Sequence, residues 1–193
     1  EKFDLEPSFF SAALDEEETP HIDVEDDQTA IIIDIPDRVQ DDKGQVIFST
    51  IPLTIFIKDK MLFTVCIKDT PIIRDFTNGL VRNINTEFRT RLIFQIFYRI
   101  SQTYLTYLKQ IDKMTNFAEH QLHRSMKNKE LFRMMEIEKS LVYFSTSLKA
   151  NETTLQKIFR GRIFKIYDED KDLLEDVLIE VTQAIEMCNI YRD

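Results

Sequence analysis

Four carboxylates stand close together near the end of the chain: Asp172, Glu175, Asp176 and Glu180. On a helix, Asp172 and Asp176 share a face, and so do Asp176 and Glu180. Like charges at this spacing repel by a few tenths of a kcal/mol, and a bound cation removes that cost. Carboxylate oxygens suit Mg2+ and Ca2+, and Mg2+ keeps several waters while taking only one or two carboxylates. An ordinary solvated helix face has the same spacing. A second candidate is the pair His120 and His123, three apart and beside Glu119. Two imidazoles on one helical face can hold a metal. Two ligands without a third are better explained as a polar patch near a helix end.

Other chemistry is missing from the pattern. The sequence has no Gly-rich phosphate loop, no Walker motif and no dinucleotide fingerprint. It has three His and no Ser-His-Asp or Cys-His arrangement, so it does not read as an enzyme. A net charge of −9 argues against nucleic acid, which requires clustered Lys and Arg. Cys66 and Cys188 lie far apart and form no CxxC pair, which predicts inert thiols in a reducing compartment. No apolar run reaches the roughly 18 residues of a membrane span, and no signal peptide is visible.

The elements that must position these residues follow from composition and periodicity. The chain has 193 residues, 43% of them hydrophobic and 15 of them Phe, enough for a sizeable core. Only three Gly and five Pro favour long regular elements. Glu6-Pro7-Ser8 can start a short helix with Phe9, Phe10, Ala13 and Leu14 on its apolar side. Three strands are predicted. The first is Thr29-Ala-Ile-Ile-Ile-Asp-Ile35, then a polar loop over 37–45, then a hairpin of 51–57 and 61–67 about Lys58-Asp59-Lys60.

From residue 72 the pattern is helical. A short helix over 72–82 precedes a capping Asn85 or Thr86. A helix over 87–125 follows, with the seam Phe88, Leu92, Ile96, Ile100, Tyr104, Leu108, Ile111, Met114 and Phe117. At 1.5 Å per residue it is roughly 57 Å long, which requires a helical partner. A second helix over 127–150 carries Leu131, Met134, Leu141, Phe144 and Leu148 and pairs with it antiparallel. A short helix over 151–160 closes at Gly161. The terminal helix opens on Asp168, Glu169, Asp170 and Asp172, where acids favour the helix dipole. Its seam is Leu174, Leu178, Val181, Ile185 and Cys188. No stop signal closes it and the first residue is Glu1, so the chain is expected to be a piece of a longer protein. The fold class is α/β: a partial β-sheet flanked by helices, then a long antiparallel helical hairpin and a long C-terminal stalk helix. The divisions are 1–84, 85–161 and 162–193.

This order of elements resembles the cytoplasmic part of CorA-type divalent-cation transporters. Glu1-Lys-Phe-Asp-Leu-Glu-Pro-Ser8 resembles the family's helix-then-Pro step, and residues 29–36 the strand after it. Pro52-Leu-Thr-Ile-Phe-Ile-Lys-Asp-Lys-Met-Leu-Phe-Thr-Val65 resembles its hairpin. Leu173-Leu-Glu-Asp-Val-Leu178, with Gln183 and Tyr191-Arg-Asp193, resembles the stalk helix before the first membrane span.

The resemblance implies two strands before Glu1 and two membrane helices after Asp193, joined through a Gly-Met-Asn pore motif. It also implies a homopentamer on the cytoplasmic face of the cell membrane, with Mg2+ bound between subunits to hold the closed state. By position, Asp176 matches the stalk carboxylate of that site. Asp75 in Ile73-Arg-Asp-Phe76 matches its partner from the adjacent subunit, with Asp69 next; Asp172, Glu175 and Glu180 are possible neighbours. The transported ion is Mg2+, or Co2+, Ni2+ or Zn2+ in a related transporter. Three His and no Cys cluster argue against a dedicated Zn2+ sensor. From another class, a cytosolic helical scaffold that dimerises through its long helices is the rival.

Overall fold

Residue 34 sits where sheet and helices meet, and the fold is best followed outward from its strand. The computed structural model describes residues 6–40, 44–124, 128–161 and 163–192. Helix α1 (Pro7–Ala13) starts on a proline, whose fixed φ suits a first helical turn. Four strands follow: β1 (His21–Glu25), β2 (Gln28–Gln40), β3 (Val46–Lys58) and β4 (Met61–Cys66). They form one antiparallel sheet in the order β1-β2-β3-β4.

The three predicted strands are present, and β1 is an addition. Its Ile22 and Val24 alternate with charged residues, but the surrounding acids hide that pattern in the sequence. Asp26, at φ 49°, turns the chain from β1 into β2; a short polar side chain tolerates this left-handed backbone. The first part of the predicted loop over 37–45, residues 37–40, is strand. Residues 37–40 keep pairing with 46–49, down to Gln40↔Val46. Ladder hydrogen bonds need no apolar side chain, so polar residues extend a strand once a partner is in register. Residues 41–43 lie outside the described residues.

Helix α2 (Pro71–Thr77) ends before the predicted 82, at Asn78 and the left-handed Gly79. The Thr70 hydroxyl accepts from the Ile72 N–H at 3.2 Å and caps its start. Helices α3 (Arg89–Arg124), α4 (Asn128–Phe159) and α5 (Asp168–Arg192) complete the chain. The Asn85 side chain accepts from the Glu87 N–H at 2.9 Å just ahead of α3. The predicted break near 150 does not exist: α4 runs through it. Asn151 is buried in mid-helix, where its amide bonds the sheet and leaves α4's own ladder intact.

α3 and α4 run antiparallel: Tyr104 meets Phe144 edge-on at 5.0 Å, and Arg133 lies over Phe117 at 5.5 Å. α5 lies along both. Its start pairs with α3 through Arg91–Asp170, and its middle meets α4 where Thr182 donates to Glu152 at 3.3 Å.

One continuous core joins sheet and helices. Ile31, Ile33 and Ile35 of β2 point into it with Phe94, Phe97, Tyr104, Phe144 and Leu148. Each such side chain stabilises the fold by roughly 1.5–3 kcal/mol when fully buried. A smaller cluster of Phe9, Ala13, Ala30 and Phe56 holds α1 on the sheet's other face. On α5 the deepest positions are Leu174, Val177, Val181, Ala184 and Cys188, while Leu178 and Ile185 are only partly buried. A helix wedged against two others buries a wider stripe than a two-helix seam requires. Phe88 and Phe117, predicted in the α3 seam, are 57% and 52% exposed. Among the described residues no helix is long and apolar enough to cross a membrane.

Candidate functional site

The acidic start of α5 divides into an inward and an outward side. Asp170 is buried and accepts from Arg91 Nη1 at 3.1 Å, while the same nitrogen donates to the Glu169 carbonyl at 3.4 Å. Asp170 is therefore an anchor between α5 and α3. Asp168 pairs with Lys171 at 2.7 Å, and that contact holds the Asp168 carboxyl below its ordinary range. Asp172, Glu175 and Asp176 are exposed and Glu180 is half-buried. Opposite them, Leu174, Val177 and Val181 face the core, which fixes the outward direction of the carboxylates. Exposed carboxylates of this kind suit a hydrated Mg2+, which retains waters in its shell. Among the described residues, no group of three or more His, Cys, Asp or Glu converges on one point within the chain.

Asp75 has a different setting. Its Oδ2 accepts from Arg99 Nε at 2.8 Å and also from Arg99 Nη2. Its side chain is only 16% exposed. It lines a cleft of about 350 Å3 with Arg82, Arg91, Gln95, Arg99 and Leu173. That cleft reaches α5 at Leu173, and Asp176 is not part of its wall. A divalent cation at Asp75 would have to displace a guanidinium and approach two more. The donor set here does not fit a metal. Asp69 is largely exposed and lies 3.4 Å from Arg74 Nε. His120, His123 and Glu119 are all exposed along α3.

Sequence reasoning missed a buried polar cluster. The Asp34 side chain accepts from Ser147 Oγ at 2.5 Å, and Ser147 also contacts Thr50 Oγ1 at 2.9 Å. Burial pushes the Asp34 carboxyl up, against the lowering effect of the Ser147 hydrogen bond. The available signal was a lone carboxylate inside the run Ile31-Ile-Ile-Asp-Ile35. Burial also pushes the Cys188 thiol up to about 12, so it stays protonated and unreactive.

Comparison with known proteins covers the same ground. A family model described as CorA-like Mg2+ transporter protein matches residues 1–193. The cobalt/magnesium transport protein CorA of Methanocaldococcus jannaschii is 24% identical over 201 residues. This chain aligns over its whole length and spans 60% of that relative's length. The soluble domain of CorA from that organism superposes with a TM-score of 0.85 at 25% identity, over 97% of this chain and 74% of that one. The complete M. jannaschii CorA structure gives 0.85 and 25% over 99% of this chain and 60% of that one. The cytoplasmic domain of ZntB from Vibrio parahaemolyticus shares the fold, with a TM-score of 0.75 at 11% identity over 98% of this chain and 74% of that one. The predicted fold, a sheet with flanking helices, a long hairpin and a stalk helix, is borne out by these superpositions. The matching family is one of transport proteins, not enzymes.

Proposed function

The chain belongs to the CorA-like Mg2+ transporter protein family, and on that premise we propose that it is the regulatory, cytoplasmic-face portion of a transporter that moves Mg2+ through a membrane part outside this sequence. Several copies, five by the resemblance, pack around a common axis with their α5 helices leading toward the membrane. Divalent cations bound at the α5 carboxylates bias the assembly toward its closed state, and their loss releases it.

The observation that carries this reading is the outward acidic face of α5, with Asp172, Glu175 and Asp176 exposed behind a buried apolar seam. Carboxylates of neighbouring copies repel when brought close, and a divalent ion between them removes the repulsion. Such a ligand shifts the equilibrium only by its difference in affinity for the two states. Asp176 and Asp172 are the residues to hold the ion, with Glu175 and Glu180 beside them. Asp75, named from the resemblance, contributes a carboxylate already taken by Arg99. The relative's name supports Co2+ beside Mg2+ as cargo, and Ni2+ or Zn2+ remains the alternative cargo in a related transporter of the same fold.

The test is limited proteolysis of the whole transporter across a Mg2+ titration. Protection that rises with Mg2+ and disappears in Asp176→Ala supports the assignment. Unchanged protection in that variant removes Asp176 from the sensor.

A further inference from the structure

The far end of the α3–α4 hairpin differs from the rest of the chain in charge. Residues 113–135 hold Lys113, Arg124, Lys127, Lys129 and Arg133 against Glu119 and Glu130, in a chain whose net charge is −9. Acids resume on either side, at Asp112 and Glu136. The same end exposes apolar side chains. Phe117, Leu131, Phe132 and Met135 are each more than half exposed. Leu131, Phe132 and Met135 share one side of the first turns of α4. Arg133 lies over the Phe117 ring at 5.5 Å, which joins the contributions of α3 and α4. Single exposed apolar side chains are ordinary, but a group of four among bases marks an interaction surface.

This end points the way α5 runs. Arg91 pairs with Asp170 near the starts of α3 and α5. Burial, and then the Asp112 carboxylate, hold the Tyr191 hydroxyl above its ordinary range, so α5 finishes near Asp112. The two helices are therefore parallel. From Asp112, α3 continues to Arg124, about 18 Å further at 1.5 Å per residue. The hairpin thus reaches past the level of Tyr191 on the side toward which α5 leads.

We infer that the hairpin end docks on an anionic lipid surface. Leu131, Phe132 and Met135 enter the headgroup boundary, and Lys129 and Arg133 meet the lipid phosphates. The occupant follows from charge complementarity and from position. A basic end on an acidic chain is attracted to anionic headgroups, while the carboxylates elsewhere on the chain are repelled. Apolar side chains flanked by bases lie on a membrane without spanning it. Lys and Arg suit the boundary because their stems cover apolar surface and their charged heads stay in water. The inference rests on the proposed direction of α5 and adds a second attachment to the membrane. This attachment uses none of the α5 carboxylates, so it persists when divalent cations are removed.

The test is co-sedimentation of the chain in EDTA with two kinds of vesicle, phosphatidylcholine alone and phosphatidylcholine with about 30% phosphatidylglycerol. Salt is set at about 25 mM and then about 500 mM, where screening is weak and then strong. The expected result is binding to the anionic vesicles only, lost at high salt. Lys129→Gln and Arg133→Gln should each weaken it about fivefold. Leu131→Ser with Phe132→Ser should abolish it, because charge alone then holds the chain. Circular dichroism checks that each variant stays folded. A chain that binds neither vesicle, binds both equally, or ignores these substitutions overturns the docking. Self-association that Leu131→Ser with Phe132→Ser disperses, without vesicle binding, gives the face to a second copy and also overturns it. None of these results touches the transporter reading, which is tested separately by Mg2+ protection of the whole transporter.

Discussion

Asn151 holds the backbone of Asp34 at both of its polar groups. Its Oδ1 accepts from the Asp34 N–H at 2.9 Å, and its Nδ2 donates to the Asp34 carbonyl at 2.7 Å. The strands leave that role open. β1 pairs with β2 only as far as Ile32, so Asp34 has no strand beside it on the edge where Asn151 binds. A helix side chain thus completes the sheet, and the Tyr104 hydroxyl adds a second donor to the same carbonyl at 3.1 Å.

Asn151→Ala removes both partners at once. The Tyr104 hydroxyl still serves the carbonyl, so the main loss is the buried N–H, worth about 1–3 kcal/mol. Urea unfolding should show a lower midpoint with an unchanged slope. Asn151→Asp keeps the acceptor but loses the donor and adds a charge near Asp34, so it should be worse than Ala. Equal stability of Asn151→Ala and the native chain would refute the bridging role.

The Asp34 carboxyl gives the fold a pH dependence of definite sign. Its folded value is raised above the ordinary 3.8, chiefly by burial. Its contribution to stability is therefore fully present below the unfolded value and is lost as pH rises through the folded one. Asp34→Asn removes that titration. The stability of the variant relative to the native chain should increase as pH rises from about 3.5 through the raised value. Urea midpoints for both chains across that range test it, and a constant difference would mean that the carboxyl titrates normally.

How much of this was legible in the sequence depends on the distance over which each feature is encoded. The outward face of α5 was legible because Asp172, Asp176, Leu174 and Val181 lie within three turns and helical periodicity sorts them. The β2–β4 strands were legible from β-branched runs. Strand β1 was not, because the acids around Ile22 and Val24 outweigh a five-residue alternation. The continuity of α4 was hidden because Asn151 is a residue that usually starts or ends helices, and its partner lies 117 positions away. The Arg99–Asp75 pair spans 24 positions. Asp75 therefore read as a free carboxylate in the sequence and as an occupied one in three dimensions.

The Arg99–Asp75 pair should show measurable coupling. Asp75 is mostly buried and Arg99 is 41% exposed, so solvent screens part of the attraction. A double-mutant cycle with Arg99→Gln and Asp75→Asn should return a coupling of about 1 kcal/mol. A coupling near zero would show that the pair is incidental.

The acidic face makes a linked prediction for metal removal. Asp172 and Asp176 repel along α5 by a few tenths of a kcal/mol when no cation is present. Neutralising both, as Asp172→Asn with Asp176→Asn, should raise the stability of the chain in EDTA by about that amount. The proposed α5 cation site predicts that millimolar Mg2+ stabilises the native chain and that the same variant loses this gain, because an ion that binds only the folded state stabilises it in proportion to its occupancy. Thermal unfolding with and without Mg2+ reads both effects in one experiment. A variant that is less stable in EDTA, or that keeps its full response to Mg2+, would place the cation elsewhere on the chain.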